Sequence, residues 1–566
     1  MTNEKVSPDA AAVRKPGWKA VGRALGNRKT GFMAVFGFAA GLPYSLLLGT
    51  LYAWLSDARV DLETMGVFSL IGLAYAFKFL WSPALDRLNL PGLKRLGRRK
   101  QWIVTAQILL GAILVTLSRL DPVAALGLFS LLAGIGAFAS ATQDIAIDAW
   151  RVDVADEDAT IDMLSTVFQM GYRTAALVGG AVSLILAERI GWSTVFLTMG
   201  VILLAAGAIC LFAPDTDADA QAARADEALG DLRKPGQLTP KVRAVALAGV
   251  ALLWGWALVT VVVFMIRSLG SEPADRPDAV DFVATTGPLI VLATIVLPSV
   301  IAAVMVWLER SGRHLLATDA PPEGTGGQVL DHLYRALILP LTELVGRMGW
   351  GLVLALALVL TYRICDSIWG TFAYPFYLGE LKYSKDEVAI ASKFFGVGAI
   401  VLGLALGGTL LTVLGRMATL TLGAVLAAVT NLLYADLALG GARMALLSDA
   451  LGVTWLVEHL GGEPRLGALM VTIGTENLAT GIAGAAYIAW LSSIVSKRYS
   501  AVQYALLSSL TLLVGTLGRG ALGHLIEQQG YYRMFVLVTW IGTVAIVLSL
   551  LEWWRTARRA PKTVPS

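Results

Sequence analysis

The sequence predicts an all-α polytopic membrane protein of about 14 transmembrane helices, two six-helix bundles with an inserted two-helix hairpin. Three observations carry that expectation. Hydrophobic residues make up 56% of the 566 positions and charged residues only 15%, whereas a soluble chain carries about 25% charge. Apolar runs of about 20 residues recur from Gly31 onward, each long enough to cross a hydrocarbon core of about 30 Å. The runs are continuous rather than alternating, and unpaired backbone is too costly in lipid, so they are helices and not barrel strands.

Residues 1–30 are polar and basic, without the short apolar core and small-residue cleavage site of a secretory signal. Spans follow near 31–55, 65–86, 102–119, 122–148, 163–187 and 192–213, forming the N-terminal bundle 31–213. A linker rich in Ala and Asp occupies 214–242, and a transmembrane hairpin occupies 243–308, with spans near 243–266 and 284–308. A second linker, 309–348, contains Leu333–Leu341, too short to span and suited to the membrane surface. The C-terminal bundle 349–555 has spans near 349–378, 387–413, 417–438, 466–493, 502–526 and 534–554, and 556–566 is a tail. Between two of these spans, 443–460 reads as a short amphipathic helix or as a loop.

Lys and Arg concentrate on one side: the N-terminal segment, Arg87 and Lys94 to Lys100, Lys497 and Arg498, and Arg555 to Lys562. That side is the cytoplasm, so both termini are cytoplasmic. Topology therefore explains the net charge of +4, and no basic run interleaved with aromatics calls for nucleic acid. Cys210 and Cys365 lie in apolar runs and offer neither a disulfide framework nor a metal spacing. Phosphate-loop, zincin and nucleophile-elbow motifs are missing, which makes a membrane-embedded enzyme the weaker alternative to a transporter.

Ionisable residues inside spans cost about 2.5–3.5 kcal/mol each to insert, so each needs a partner or a task. Lys78 sits in the second span. Asp144, Asp148 and Arg151 share one face of the fourth, at i, i+4 and i+7, with Gln143 slightly aside. Tyr172 and Arg173 lie in the fifth. In the second block, Arg363 and Asp366 stand one turn apart, followed by Tyr374, Lys393, and then Glu476 and Asn477. Plainer readings exist: Lys78 snorkelling, an Arg151–Asp148 bridge locking helices, and a neutral Arg363–Asp366 pair. Glu476 has no basic residue within two turns. Small-residue pairs such as Gly37/Gly41 and Gly403/Gly407 allow helices to approach closely.

Several stretches resemble the AmpG muropeptide permease family of the major facilitator superfamily. They are Phe38-Ala39-Ala40-Gly41-Leu42-Pro43, Phe77-Lys78-Phe79-Leu80-Trp81-Ser82-Pro83-Ala84-Leu85-Asp86-Arg87, and Ser140-Ala141-Thr142-Gln143-Asp144-Ile145 through Trp150. In the second block they are Tyr362-Arg363-Ile364-Cys365-Asp366, Ser392-Lys393-Phe394-Phe395-Gly396, Glu476-Asn477-Leu478 and Gln503-Tyr504-Ala505-Leu506. The turn after the fourth span departs in its acidic run, Asp156-Glu157-Asp158.

The resemblance implies a major facilitator fold and a monomeric permease of the bacterial inner membrane. It implies proton-driven import of N-acetylglucosaminyl-1,6-anhydro-N-acetylmuramyl peptides for cell-wall recycling, with a role in β-lactamase induction. A related transporter of another solute, such as acetyl-coenzyme A, is the alternative. No cofactor is expected beyond the proton gradient, and the partners expected are the muropeptide, protons and the lipid bilayer. A disaccharide peptide needs cations for its carboxylates and uncharged donors for its hydroxyls. Lys78, Arg173, Arg363 and Lys393 supply the first; Gln143, Tyr172, Tyr374 and Asn477 supply the second, with Asp366 beside Arg363. Asp144, Glu476 and Asp148 are the proton-coupling candidates, because desolvation favours a protonated carboxyl. Asp86, Arg87, Arg151, Gly41 and Pro43 are the gating or structural candidates.

Overall fold

The computed structural model of the protein describes residues 22–23, 26–60, 74–75, 77–86, 88–214, 232, 234–270, 277, 281–282, 285–318, 325–365, 372–517 and 519–559. The first block contains α1 (Arg28–Asp57), α2 (Arg98–Leu117), α3 (Leu126–Val154), α4 (Ile161–Ile190) and α5 (Trp192–Cys210). Then come α6 (Pro240–Gly270) and α7 (Gly287–Arg310), followed by the shorter α8 (Thr325–Leu337) and α9 (Leu339–Met348). The second block holds α10 (Gly351–Thr361), α11 (Lys385–Val413), α12 (Arg416–Ala438), α13 (Ala442–Ala450), α14 (Val453–His459), α15 (Pro464–Ser493), α16 (Ser500–Leu517) and α17 (Arg519–Arg559), the last broken at Gly530.

Among the described residues, 11 helices are long and apolar enough to cross a membrane, or 12 if α9 and α10, bent by 105°, count as one span. The expectation of about 14 exceeds this for a local reason. Residues 65–73 and 76 of the span near 65–86, and residues 366–371 of the span near 349–378, lie outside the described residues, and α16 in the span near 502–526 is not among the 11. The surface segment 333–341 is divided between α8 and α9, and 443–460 between α13 and α14.

Helix starts follow the local chemistry. Asn27 caps α1 by accepting from the Lys29 amide, and Thr160 caps α4 by accepting from Met163. Ser384 and Glu387 form a reciprocal capping box at α11. Gly97 before α2 and Gly415 before α12 have nearly the same backbone angles, φ 93° and 87° with ψ 164° in both, a region that favours glycine. The packing repeats as well: α2 lies against α3 and α5, and α12 lies against α15 and α17. Two blocks with matching turns and matching neighbours are the geometry of a parallel repeat.

Small residues set the tightest crossings. A Cβ on Gly37 would run into the Phe168 carbonyl, and one on Gly41 would press on Tyr172 and Ala175, so α1 and α4 meet backbone to backbone. Gly403 and Gly407 do the same for α11 against α15. Pro43 lies buried in α1 just before a π-helical turn, Leu46–Thr50. A proline removes one ladder hydrogen bond, and a wider turn absorbs the mismatch.

The inserted hairpin is expected to face lipid, and one side of it does. Its other side packs on the transport bundle: Trp254 meets Phe79 edge-on at 6.3 Å, and Phe282 meets Phe77 at 6.4 Å. The hydrophobic groups at the end of the second span are therefore covered by the hairpin rather than by lipid. A short antiparallel bridge, Leu238 to Leu315, ties the two linkers together where they enter and leave it.

Candidate functional site

Lys78 stands on a single 3₁₀ turn, Lys78–Leu80, held against α3 by the Trp81 indole, which donates to Thr142 Oγ1 at 3.1 Å. Its Nζ lies 3.7 Å from Asp144 and 3.8 Å from Asp148. Asp148 also accepts from Arg151 Nη2 at 3.0 Å. The four charges balance, which is the condition for burying them, since removing one partner of a buried pair costs about 3–5 kcal/mol. Arg151 lies between two aromatic rings, Phe168 of α4 at 5.1 Å and Tyr504 of α16 at 5.0 Å, so it touches both blocks.

Hydrogen bonding in this cluster is incomplete. Asp144 Oδ1, Arg151 Nε and Nη1, and both amide atoms of Gln143 are buried without a protein partner. Gln143 is 0% exposed. Buried polar groups are nearly always satisfied, so unfilled valences on three adjacent side chains mark a place for water or ligand. Tyr44, Tyr75 and Tyr172 form a wall beside them, with ring centroids 5.0 Å and 5.9 Å from Tyr44 to the other two. Asp144 acts electrostatically on all three phenols.

Across the gap between blocks, Arg173 on α4 lies in the field of Arg363 and Glu476. Two guanidiniums thus stand near one carboxylate. Arg363 Nη1 and Gln169 Nε2 flank Gly484, 3.6 Å and 3.9 Å from where a Cβ would sit, so a larger residue there would crowd both. Glu476 accepts from Thr480 Oγ1 at 3.1 Å and from Asn477 Nδ2 at 3.2 Å, and Asn477 also donates to the Ile473 carbonyl. Lys393 lies 6.0 Å above the Tyr374 ring, on a π-helical turn of α11. Asp366 and Arg87 lie outside the described residues, and with them the Arg363–Asp366 pair.

A second constellation closes the ends that the charge pattern assigns to the cytoplasm. Arg99, at the start of α2, is 2% exposed. Its Nε donates to Asp153 at 2.8 Å, its Nη1 to the Leu85 carbonyl at 3.1 Å, and its Nη2 to Asp86 at 2.7 Å and to Ser500 Oγ at 2.9 Å. Ser500 in turn donates to Asp153 at 2.7 Å, and the Val502 amide in the first turn of α16 donates to Asp86 at 3.1 Å. Nearby, Lys497 reaches the Ala155 carbonyl at 2.8 Å and Arg416 reaches Asp162 at 2.8 Å. All these bonds except those to Leu85, Asp86 and Asp153 from Arg99 join one block to the other.

Of the expected site residues, Lys78, Gln143, Asp144, Asp148, Arg151 and Tyr172 come together in one cluster, and Arg173, Arg363 and Glu476 in a second beside it. Asp86 joins the closing network. Tyr44, Gln169, Arg99 and Ser500 were not singled out as site residues. Tyr44 and Gln169 are single polar residues in apolar helices and carry no sequence signal, while Arg99 reads as one of a solvated run.

Two matched helical blocks that meet at a buried, charge-balanced cluster and are tied at one end define a membrane transporter rather than an enzyme. The family model of the Major Facilitator Superfamily matches residues 31–317, and the chain belongs to that superfamily. It is 25% identical to the anhydromuropeptide permease of Escherichia coli (strain K12), across 92% of this chain and 79% of the relative. It is 23% identical to the putative transporter AmpG 4 of Rickettsia felis, across 91% of this chain and 94% of the relative. Among solved structures it resembles the transporter FucP in the outward conformation, with a TM-score of 0.52 and 10% identity across 92% of this chain and 98% of that one. The human organic anion transporter MFSD10 gives a TM-score of 0.50 at 13% identity across 92% of this chain and 99% of that one. These two likenesses concern the fold alone.

Proposed function

We propose that this transporter imports anhydromuropeptides across the inner membrane, with both termini in the cytoplasm, and that the proton gradient drives it. The observation that carries the reading is the approach of Arg363 to α4 at Gly484, where its Nη1 and the Gln169 Nε2 converge one helical turn from Arg173. Two guanidiniums suit peptide carboxylates, which they bind through forked hydrogen bonds. The Tyr44, Tyr75 and Tyr172 wall and the unfilled Gln143 amide suit a sugar, which needs flat apolar contact and many hydroxyl partners. Similarity to a relative named anhydromuropeptide permease, extending over 92% of the chain, points to the same substrate class.

For coupling, Asp144 is the best placed group. Lys78 is shared between Asp144 and Asp148, and Asp148 has Arg151 besides, which leaves Asp144 the less compensated carboxylate. Protonating Asp144 would release Lys78 to Asp148 and change the balance around Arg151, whose guanidinium touches Tyr504 of the opposite block. Glu476 is the alternative coupling group. A role in β-lactamase induction would follow from the cargo rather than from any separate site.

The test is uptake of labelled anhydromuropeptide by proteoliposomes whose outside is acidified, with acetyl-coenzyme A run beside it. Accumulation of the muropeptide that collapses with a protonophore supports the reading. Accumulation of acetyl-coenzyme A alone, or muropeptide uptake indifferent to the gradient, would overturn the substrate or the coupling respectively.

A further inference from the structure

A cavity of about 230 Å³ lies away from the transport gap, between the first turns of α6 and the amphipathic α8. Pro240, Lys241, Arg243 and Ala244 line one side of it, and Asp331 and Tyr334 line the other. It is smaller than the roughly 300–1,000 Å³ of a small-molecule site, so it fits a headgroup rather than a whole substrate. We propose that this cavity binds the phosphodiester of an anionic phospholipid, with the lipid's acyl chains running along α6.

Depth supports the assignment. At 1.5 Å per residue, α6 is far longer than a hydrocarbon core of about 30 Å, so its first turns project into the headgroup layer. They do so on the side that the Lys and Arg pattern gives to the cytoplasm, where anionic headgroups attract basic groups. The mouth lies between two lipid-facing surfaces: Val245 beside it on α6 is 74% exposed, and Leu330 on α8 is 43% exposed. A free phosphate ion would gain nothing from those apolar flanks, whereas a phospholipid fills them with its glycerol and chains.

Charge and donors support it too. Arg243 is 4% exposed, yet its Nε makes no hydrogen bond. The rest of its guanidinium is held in place: Nη1 donates to the Leu232 carbonyl at 3.1 Å, the Asp331 carboxylate is 3.4 Å away, and the Tyr334 ring lies 5.8 Å beneath. Asp331 balances Arg243, which leaves Lys241 as the uncompensated charge among the lining residues. One net positive charge matches a single phosphodiester and does not favour a zwitterionic headgroup. Burial holds the Tyr334 phenol well above its usual range despite the nearby guanidinium, so it stays an O–H donor. The Leu238–Leu315 bridge and the bond from the Thr239 amide to the His314 carbonyl hold the chain in place just before α6 begins.

The proposal is tested by native mass spectrometry of the full-length protein in detergent, after exchange into phosphatidylglycerol, phosphatidylethanolamine or inorganic phosphate. One phosphatidylglycerol should survive delipidation that strips phosphatidylethanolamine. Lys241→Glu, at an exposed position, should lower that retention by roughly tenfold or more, as reversal of a basic charge at an anionic surface does. Ala244→Trp fills the cavity without touching any charge and should abolish it, and a normal melting temperature in either variant shows that the fold is intact. Equal retention of the two lipids, or retention unchanged in both variants, would overturn the proposal. So would inorganic phosphate displacing the lipid at equal concentration, because the ligand would then be a free anion.

Discussion

Lys78 lies within 3.7 Å of Asp144 and 3.8 Å of Asp148, and a single ammonium serving two buried carboxylates leaves one of them short. Replacing Asp144 by Asn keeps the shape and removes the charge, while Lys78 retains Asp148 as its partner. The variant should insert and express as the parent does, lose concentrative uptake by a factor within the 5–150-fold typical of coupling energies, and keep exchange without a gradient. Asp148→Asn should behave differently, with lower yield, because it strips the partner from Arg151 as well. Parallel assays of uphill uptake and counterflow separate the two. Undiminished accumulation by Asp144→Asn would pass the coupling role to Glu476. The face shared by Asp144, Asp148 and Arg151 was legible from the spacing i, i+4, i+7 alone. That Lys78 rather than Arg173 is their partner was not, since about 66 residues separate it from Asp144 and only packing joins them. Arg99 shows the opposite failure. In sequence it belongs to a basic loop that topology explains, yet it is buried and makes four hydrogen bonds, one of them to a serine 401 residues away.

At the scale of elements, the close approach of α1 and α4 sets where Tyr44 and Arg173 stand, because both follow the crossing by a turn or two. The glycine spacing that allows the approach was legible in advance, but which helix fills the groove was not, since a Gly-x3-Gly pattern names no partner. Gly37→Val should drive a side chain into the Phe168 carbonyl and destabilise the protein by about 1–3 kcal/mol, the usual cost of overpacking. Gly134→Val on α3, where a Cβ meets nothing within 4 Å, is the matched control and should be close to neutral. Thermal unfolding in detergent measures both. Equal melting temperatures for the two variants would show that the crossing tolerates a side chain and that the glycines matter for another reason. The inserted hairpin illustrates a limit of composition. Its few polar residues suit a peripheral, lipid-facing hairpin, but an aromatic surface on the bundle, Phe77 and Phe79, is as good a neighbour for Trp254 and Phe282 as acyl chains are.

At the scale of the whole molecule, the ties at the ends that the charge pattern assigns to the cytoplasm must break if the blocks are to open on that side. Arg99, Asp86, Asp153, Ser500 and Val502 share five hydrogen bonds, three of which join the blocks, and the Lys497–Ala155 and Arg416–Asp162 contacts lie around them. Alternating access by rocking one block against the other requires those that join the blocks to part in each cycle: Arg99–Ser500, Ser500–Asp153, Val502–Asp86, Lys497–Ala155 and Arg416–Asp162. Gly408 on α11 offers a direct test, because a Cβ built there lies 3.1 Å from Thr166 Cβ on α4, near the 3.5–4.5 Å typical of a disulfide. In Gly408→Cys with Thr166→Cys, the second change also removes the threonine side chain that a new Cβ would strike. The native Cys210 and Cys365 are both free, so the test is run with both replaced by Ala and the engineered pair is the one that an oxidant can join. Oxidation should stop substrate transport in proteoliposomes, a reductant should restore it, and Thr166→Cys alone should transport under both conditions. The bond would hold the blocks together at the tied end while leaving the Tyr44, Tyr172 and Arg173 surfaces unaltered, so substrate should still bind to the oxidised protein. Loss of binding together with transport would indicate a distorted site, and full transport by the oxidised protein would show that the blocks do not separate here during the cycle.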